Sequence, residues 1–334
     1  MCRVCDGFAA GAHNHGATAG LDNAPPVGHI RKMTALLLLP AMLLDAALGE
    51  PKWLWSRTPH PAVLMGRVVA AFDTRFNQGI TRRLKGTLAM AAMVIGAGLL
   101  GGFIHAIPDA GLLEIITVAI LLAQRSLADH VKAVANALRL SLNDGRNTVA
   151  MIVGRDTAKM DSSAVARGAI ESAAENLSDG VIAPILWYLA AGLPGILIYK
   201  ITNTADSMIG HRTPQYEQFG WAAARLDDVL NLIPARVTAA LIALSHGWTN
   251  AQPILRDGPL HRSPNAGWPE AAMAVILNIA LSGPRSYHGV TKDYPWVWPE
   301  GRRTLTPDDI DRAVRALWRT WGLMLAIVAV LAIL

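Results

Sequence analysis

Between Glu171 and Asp228 the chain sets seven acidic residues, Glu171, Glu175, Asp179, Asp206, Glu217, Asp227 and Asp228, among long apolar runs. The block reads ESAAENLSDG, an apolar stretch, YKITNTADSMIGHRTP and then FGWAAARLDD. Carboxylates beside lipid cost several kcal/mol unless they face a cavity, a partner or an ion. Any fold for this chain has to gather these acids, and the block reads as a site.

The membrane setting follows from composition. Of 334 residues, 52% are hydrophobic and 16% charged, against about 25% charged in soluble domains. The expected fold is an all-α, polytopic integral membrane helical bundle. The net charge is +5, with much of the Lys and Arg between Lys52 and Lys85 and between Arg125 and Arg167. Basic loops beside membrane helices usually face the cytoplasm; a substrate role for this charge is the alternative. Nothing in the charge pattern points to nucleic acid.

The only cysteines, Cys2 and Cys5, cannot brace the body of the protein. Residues 1–32, rich in Gly, Ala, Asn and Pro, read as a disordered N-terminal extension without a signal-peptide core. A metal site from Cys2, Cys5, His13 and His15 is a minor reading there. Met33 makes a natural start, and 33–334 reads as one membrane-embedded helical domain.

An apolar helix over 34–48 is interrupted at Pro40. Residues 86–107 form the clearest span, Pro108–Gly111 a tight turn, and 112 onward a return helix that continues through QRSLADHVKAVANALRLSL. Arg125 and Asp129 are spaced i,i+4 there. Asp161 or Ser162 caps a helix to Asn176, with Arg167, Glu171 and Glu175 on one face. Thr306, Pro307 and Asp309 start the terminal helix with a capping-box pattern.

Residues 181–199 are long enough to cross, yet a crossing would put Asp179 and the pair Asn203/Asp206 on opposite sides of the bilayer. Gly192-Leu193-Pro194-Gly195 is a strong turn signal. The segment therefore reads as re-entrant half-helices, 181–191 and 196–206, each roughly 16 Å long, about half the hydrocarbon core. Broken backbone at that depth has to be buried in protein or line a cavity. The same logic makes 232–246 re-entrant; a kinked crossing helix is the alternative.

Three triplets recur: Arg57-Thr58-Pro59, Arg212-Thr213-Pro214 and Arg262-Ser263-Pro264. They suit helix entries beside an anion-binding Arg, or plain turns. Asp227-Asp228, between Arg225 and Asn231, suits Mg²⁺, which takes hard oxygen ligands and bridges to phosphates; pairing with Arg225 is the bland reading. Asp206 reads as a metal ligand or amine-orienting carboxylate, or as a buried partner of Lys200. Arg155 sits in the turn Gly154-Arg155-Asp156-Thr157. No P-loop is present. The tryptophans at 53, 55, 296 and 298 fit an interfacial belt.

In order, the motifs DAALGEPKWLWSRTPHPAVLMGR, VGRDT, ESAAENLSDGVIAPILWY, YKITNTADSMIGHRTPQY, FGWAAARLDDVLNLIPAR and HRSPNAGWPEAAMA resemble the CobD/CbiB family of cobalamin biosynthesis. The resemblance covers about 34–334. It implies a multi-pass enzyme of the cell (inner) membrane, working at the cytoplasmic face. The family's reaction joins adenosylcobyric acid to (R)-1-amino-2-propanol, or its O-phosphate, through an amide, using ATP and Mg²⁺. Other cobalamin-pathway enzymes are conceivable partners beside the lipid.

That chemistry needs cation ligands, phosphate-binding Arg residues and a base. Asp206, Asp227 and Asp228 are the expected metal ligands. Arg155, Arg212 and Arg262 are expected to hold phosphate or corrin carboxylates. Asn176, Lys200, Asn203, Arg225 and Asn265 join them in substrate binding. His60, His211 or His261 is the expected base, with Glu171, Glu175 and Asp179 completing the catalytic wall. A transporter also combines broken helices with intramembrane acids, but no related halves are visible. A membrane phosphotransferase shares paired aspartates without the usual spacing.

Overall fold

The computed structural model describes residues 27–287 and 290–334. The Cys2, Cys5, His13 and His15 reading, and most of the expected extension, lie outside them. The first helix, α1 (Val27–Leu48), starts six residues before Met33 and runs through Pro40 without ending. Short α2 (Lys52–Trp55) and α3 (Pro61–Phe76) lead to α4 (Arg82–His105).

Helix α4 is basic at its start and apolar beyond, and it ends at a turn with Ala110 and Gly111 at positive φ. There Asp109 accepts the backbone N–H of Gly111 and Leu113 at 3.0 and 2.7 Å. The return helix is not continuous as expected. Helix α5 (Leu112–Leu121) stops, Leu122 is extended, and α6 (Gln124–Leu140) starts afresh. The restart has a local cause: buried Asp45 reaches across from α1 and accepts the Gln124 N–H at 2.9 Å, placing a carboxylate at the positive end of α6. Helix α7 (Leu142–Val149) follows. Helix α8 (Ser162–Leu177) is capped by Asp161, one of the two caps the sequence offers.

From α8 the chain stays helical through one π turn, Ser178–Ile182, into α9 (Ala183–Ile209). A straight rod would hold Asp179 and Tyr199 roughly 30 Å apart. Instead the Tyr199 hydroxyl lies 3.1 Å from the Asp179 carbonyl. The break is at Ala191 and Gly192, where Gly192 adopts φ 62 and ψ −152. The chain doubles back there into a helical hairpin, as the turn signal predicts. At the tip a Cβ on Gly195 would sit 2.3 Å from the Trp187 carbonyl oxygen.

The return arm packs along α4. A Cβ on Gly101 would fall 2.6 Å from Pro194, and one on Gly98 would touch Ile198 at 3.4 Å. Small residues let helices approach in a medium where lipid and side chains are equally apolar. The α4 stretch from Gly86, beside Phe219, to Gly101, beside the tip, rises roughly 22 Å. The hairpin thus goes deeper than the half-core depth its two expected arms imply.

Helices α10 (Trp221–Leu230) and α11 (Leu232–Ser245) follow, bent by 42° at Asn231. Helix α11 is unbroken, so the expected turn inside 232–246 is absent. The chain returns later, through α12 (Gln252–Asp257) and a short 3₁₀ turn at Gly258–Leu260. It still brings the two polar motifs together, since the Asn265 side-chain N–H donates to the Asp228 carbonyl at 2.8 Å. Pro234, early in α11, lies where a helix tolerates a missing N–H, so it marks an entry rather than a break.

Helix α13 (Gly267–Leu277) leads to two small antiparallel ribbons. Strand β1 (Leu281–Ser282) pairs with β4 (Trp296–Val297), and β2 (Arg285–Tyr287) with β3 (Val290–Lys292). Trp296 is held between the guanidinium groups of Arg167 and Arg303 at 4.8 and 4.9 Å, and the Trp298 indole donates to Asn278. These two rings pack within the protein rather than forming a free belt. Helix α14 (Pro307–Ile333) starts with the predicted capping box. Among the described residues, three helical stretches are long and apolar enough to cross a membrane, or four if α10–α11 is one span.

Candidate functional site

Helix α8 is buried on nearly every side: Ala169, Ile170, Glu171, Ser172, Ala173, Ala174, Leu177 and Ser178 are all inaccessible. Yet Glu175 and Asn176 are exposed, and Asp179 and Gly180 partly so. This strip is the accessible part of a helix otherwise enclosed by its own bundle. The π turn places Asp179 on the same strip; an extra residue per turn shifts the helix phase, and such bulges recur at functional sites.

Other elements bring further acids. Asp206, on the last turn of the return arm, packs so closely over Gly210 that a Cβ there would meet its carboxylate at 1.9 Å. Asp227 and Asp228 come from α10. The like charges of Glu175, Asp179, Asp206, Asp227 and Asp228 act on one another, so the five form one constellation. Lys200 lies within electrostatic reach of Asp179, Glu50 and Asp45. Its expected alternative partner, Asp206, is not among them.

Asp227 is the most closely held acid. Its Oδ1 accepts from the Asn203 amide at 3.3 Å and its Oδ2 from the Asn231 amide at 3.0 Å. Asn231 in turn accepts from the Tyr199 hydroxyl at 3.0 Å. Asp228 turns to Arg225 at 3.3 Å and feels Arg212. Arg262 feels the charge of Glu175. The acids therefore form a floor with Arg225, Arg212 and Arg262 around it.

Glu171 and Arg155 do not join this floor. Glu171 is buried between Arg155 at 2.6 Å and Arg285 at 2.9 Å, and accepts the Ser282 N–H at 2.6 Å. The expected alignment with Arg167 is not used; the Arg167 guanidinium donates to the carbonyls of Ala280 and Arg303 instead. Arg155, expected to meet an anion, spends its guanidinium on Glu171 and leaves 8% of its side chain exposed. Glu270 stands next to this cluster, 3.7 Å from Arg285. The group is a buried ion network beside the floor.

The histidines separate by tautomer. His60 Nδ1 accepts the Ala62 N–H at 3.1 Å and caps α3, while its ring meets Trp55 edge to face. His261 Nδ1 accepts the Ser263 N–H, also at 3.1 Å. Burial holds both below the usual imidazole value; for His261, with Arg285 and Arg262 adding to burial, it falls to about 4. A neutral ring that accepts at Nδ1 carries its proton on Nε2, so neither has a free nitrogen to take a proton. His211 is exposed in the turn after Gly210. Of the triplets, Ser263 makes a turn by accepting from Asn265 and Ala266, and Thr58 donates back to Leu54.

Sequence reasoning passed over Tyr199, Glu270 and Arg285. Tyr199 and Glu270 sit inside quoted motifs, but nothing local marks an aromatic that bridges two elements. Arg285 has no sequence signal.

An oxygen-only donor set fits a hard divalent cation. Among the described residues no three acids or histidines stand at ready-made ligand spacing. Mg²⁺ commonly takes one or two carboxylates and completes its shell with water and substrate phosphate, so Asp206 and Asp227 suit it.

The model of the family described as CobD/Cbib protein matches residues 38–317. The cobalamin biosynthesis protein CobD of Sinorhizobium fredii (strain NGR234) is 47% identical over 89% of this chain and 97% of its own length. That of Rhizobium meliloti is 48% identical over 86% and 94%. That of Rhodobacter capsulatus is 42% identical over 90% and 98%. No solved structure matches.

Proposed function

This chain belongs to the CobD/Cbib protein family, and from that premise we propose that it is a membrane enzyme of cobalamin biosynthesis. It joins a propionate carboxylate of adenosylcobyric acid to (R)-1-amino-2-propanol, or its O-phosphate, at the expense of ATP. The observation that supports the reading is the convergence of Glu175, Asp179, Asp206 and Asp227, from three separate motifs, to within electrostatic reach of one another, with Arg262 and Arg212 beside them.

A carboxylate is a poor acyl donor. The carboxylate attacks the γ-phosphorus of ATP, giving an acyl phosphate and ADP. The amine then attacks the acyl carbon, and inorganic phosphate leaves with the C–O bonding pair. Arg212, Arg225 and Arg262 are placed to hold anionic groups beside the floor. Asp206 and Asp227, with Asp228 beside them, would hold Mg²⁺, which supplies charge neutralisation for phosphate. With the Nδ1 atoms of His60 and His261 occupied, the proton released by the amine goes to Glu175 or Asp179. Both lie on the accessible strip, and Lys200 is within electrostatic reach of Asp179.

The acidic floor lies near the end of α4 that carries Arg82, Arg83 and Lys85, since Arg83 stacks on Trp221 at the start of α10. By the positive-inside rule that end faces the cytoplasm, where ATP is available. The test is a mass-spectrometric assay of purified protein in nanodiscs with adenosylcobyric acid, Mg-ATP and each amine separately. The expected result is the amide together with ADP and phosphate. Folded protein that binds the corrin but forms no amide with either amine would overturn the reading.

A further inference from the structure

Asn231 occupies the joint between α10 and α11, where the helix axis bends by 42°, and is 1% exposed. Its backbone N–H donates to the Asp227 carbonyl at 3.0 Å, and its own carbonyl accepts from Ala235, also at 3.0 Å. Its side chain therefore has a fixed root one helical turn beyond Asp227.

The direction of the amide is set by the acceptor-only Asp227 carboxylate, and a second residue meets its other end. Tyr199 is fully buried, and its hydroxyl stands 3.0 Å from Asn231 Oδ1 and 3.1 Å from the Asp179 carbonyl, with one proton to donate to either. With Oδ1 facing Tyr199, the amide nitrogen faces Asp227 Oδ2. The flipped amide would set an oxygen against a carboxylate. Asn203 supplies the matching donor to Oδ1. Each Asp227 oxygen thus has an amide donor, which offsets the repulsion from Asp206 and Asp228.

We propose that Asn231, braced at Oδ1 by Tyr199, is the positioning residue of the acidic floor: it holds the Asp227 carboxylate in the orientation that takes a divalent cation. This rests on the reading that Asp227 is a cation ligand. The Tyr199 hydroxyl thus packs between the π turn and the residue that holds Asp227.

The test is a Mn²⁺ binding titration followed by electron paramagnetic resonance on the full chain in detergent, without substrates. Partners that orient metal ligands are generally worth about 10–100-fold in affinity. Asn231→Leu, of similar volume, should weaken Mn²⁺ at least tenfold. Tyr199→Phe, which removes the brace on Oδ1, should also weaken it, by less than Asn231→Leu does. Asp227→Asn should remove high-affinity binding. Unchanged affinity in both Asn231→Leu and Tyr199→Phe, with binding lost in Asp227→Asn, overturns the positioning role and leaves the ligand assignment standing. Binding retained in Asp227→Asn, or none in the unaltered protein, overturns both. If Asn231→Leu does not fold, Tyr199→Phe decides: unchanged affinity there counts against the proposal.

Discussion

The Tyr199 hydroxyl sits 3.1 Å from the backbone carbonyl of Asp179, although twenty residues of nearly continuous helix separate them. Only a reversal at Gly192 allows this, and the reversal brings Asp179 and Asp206 to one level. The constellation of acids is therefore a consequence of one backbone break rather than of any local motif.

That break depends on glycine. At φ 62 and ψ −152, Gly192 is in a region that L side chains essentially do not enter. Gly192→Val should cost on the order of 1–3 kcal/mol and loosen the hairpin. A lower thermal midpoint in detergent, together with loss of product, is the expected outcome; a wild-type midpoint would show that the tip tolerates a side chain.

Much of this was legible in the sequence because it rests on local rules. The Gly-Leu-Pro-Gly turn, the Asp161 cap and the capping box at Thr306 each follow from residues a few positions apart. What escaped depends on distant partners. The α5–α6 break is decided by Asp45 on α1, and Glu171 is drawn out of the site by Arg155 and Arg285. Tyr199 and Asn231 matter because of a contact across the hairpin, which no spacing along the chain encodes. The histidines looked alike as bases until their backbone bonds assigned the tautomers.

Glu171 and Glu175, one helical turn apart, should behave oppositely. Glu171→Gln leaves buried Arg155 without its counter-charge and Arg285 with Glu270 at 3.7 Å, and removing one partner of a buried pair costs about 3–5 kcal/mol. The variant should accumulate poorly in the membrane and unfold at lower temperature. Glu175→Gln, on the accessible strip, should accumulate normally while losing turnover. Comparing membrane levels and midpoints of the two checks this; equal stability would erase the distinction between ion network and acidic floor.

His261 sets a pH dependence. Its folded value of about 4 lies below the ordinary 6.5, so between those values the unfolded chain binds more protons. Stability is therefore full above about pH 6.5 and falls as pH drops toward 4. Between pH 7 and pH 5 the loss from this group is about 2 kcal/mol. His261→Asn, which keeps an acceptor near the Ser263 N–H and cannot titrate, should flatten the decline in thermal midpoint over that window. An unchanged slope would assign the acid sensitivity to other groups.

The acidic floor makes the sharpest demand on activity. Asp206 and Asp227 come from different elements, and each faces like charge rather than a salt-bridge partner. Such acids contribute little to stability, so Asp206→Asn and Asp227→Asn should accumulate to wild-type levels. Removing a group used only in catalysis should lower the rate of amide formation by at least 10²-fold, or about 2.7 kcal/mol of barrier. Chelation by EDTA should have the same effect on the unaltered protein, and added Mg²⁺ should restore it but not rescue the variants. Turnover that persists in either variant, or survives chelation, would remove that carboxylate or the cation from the mechanism.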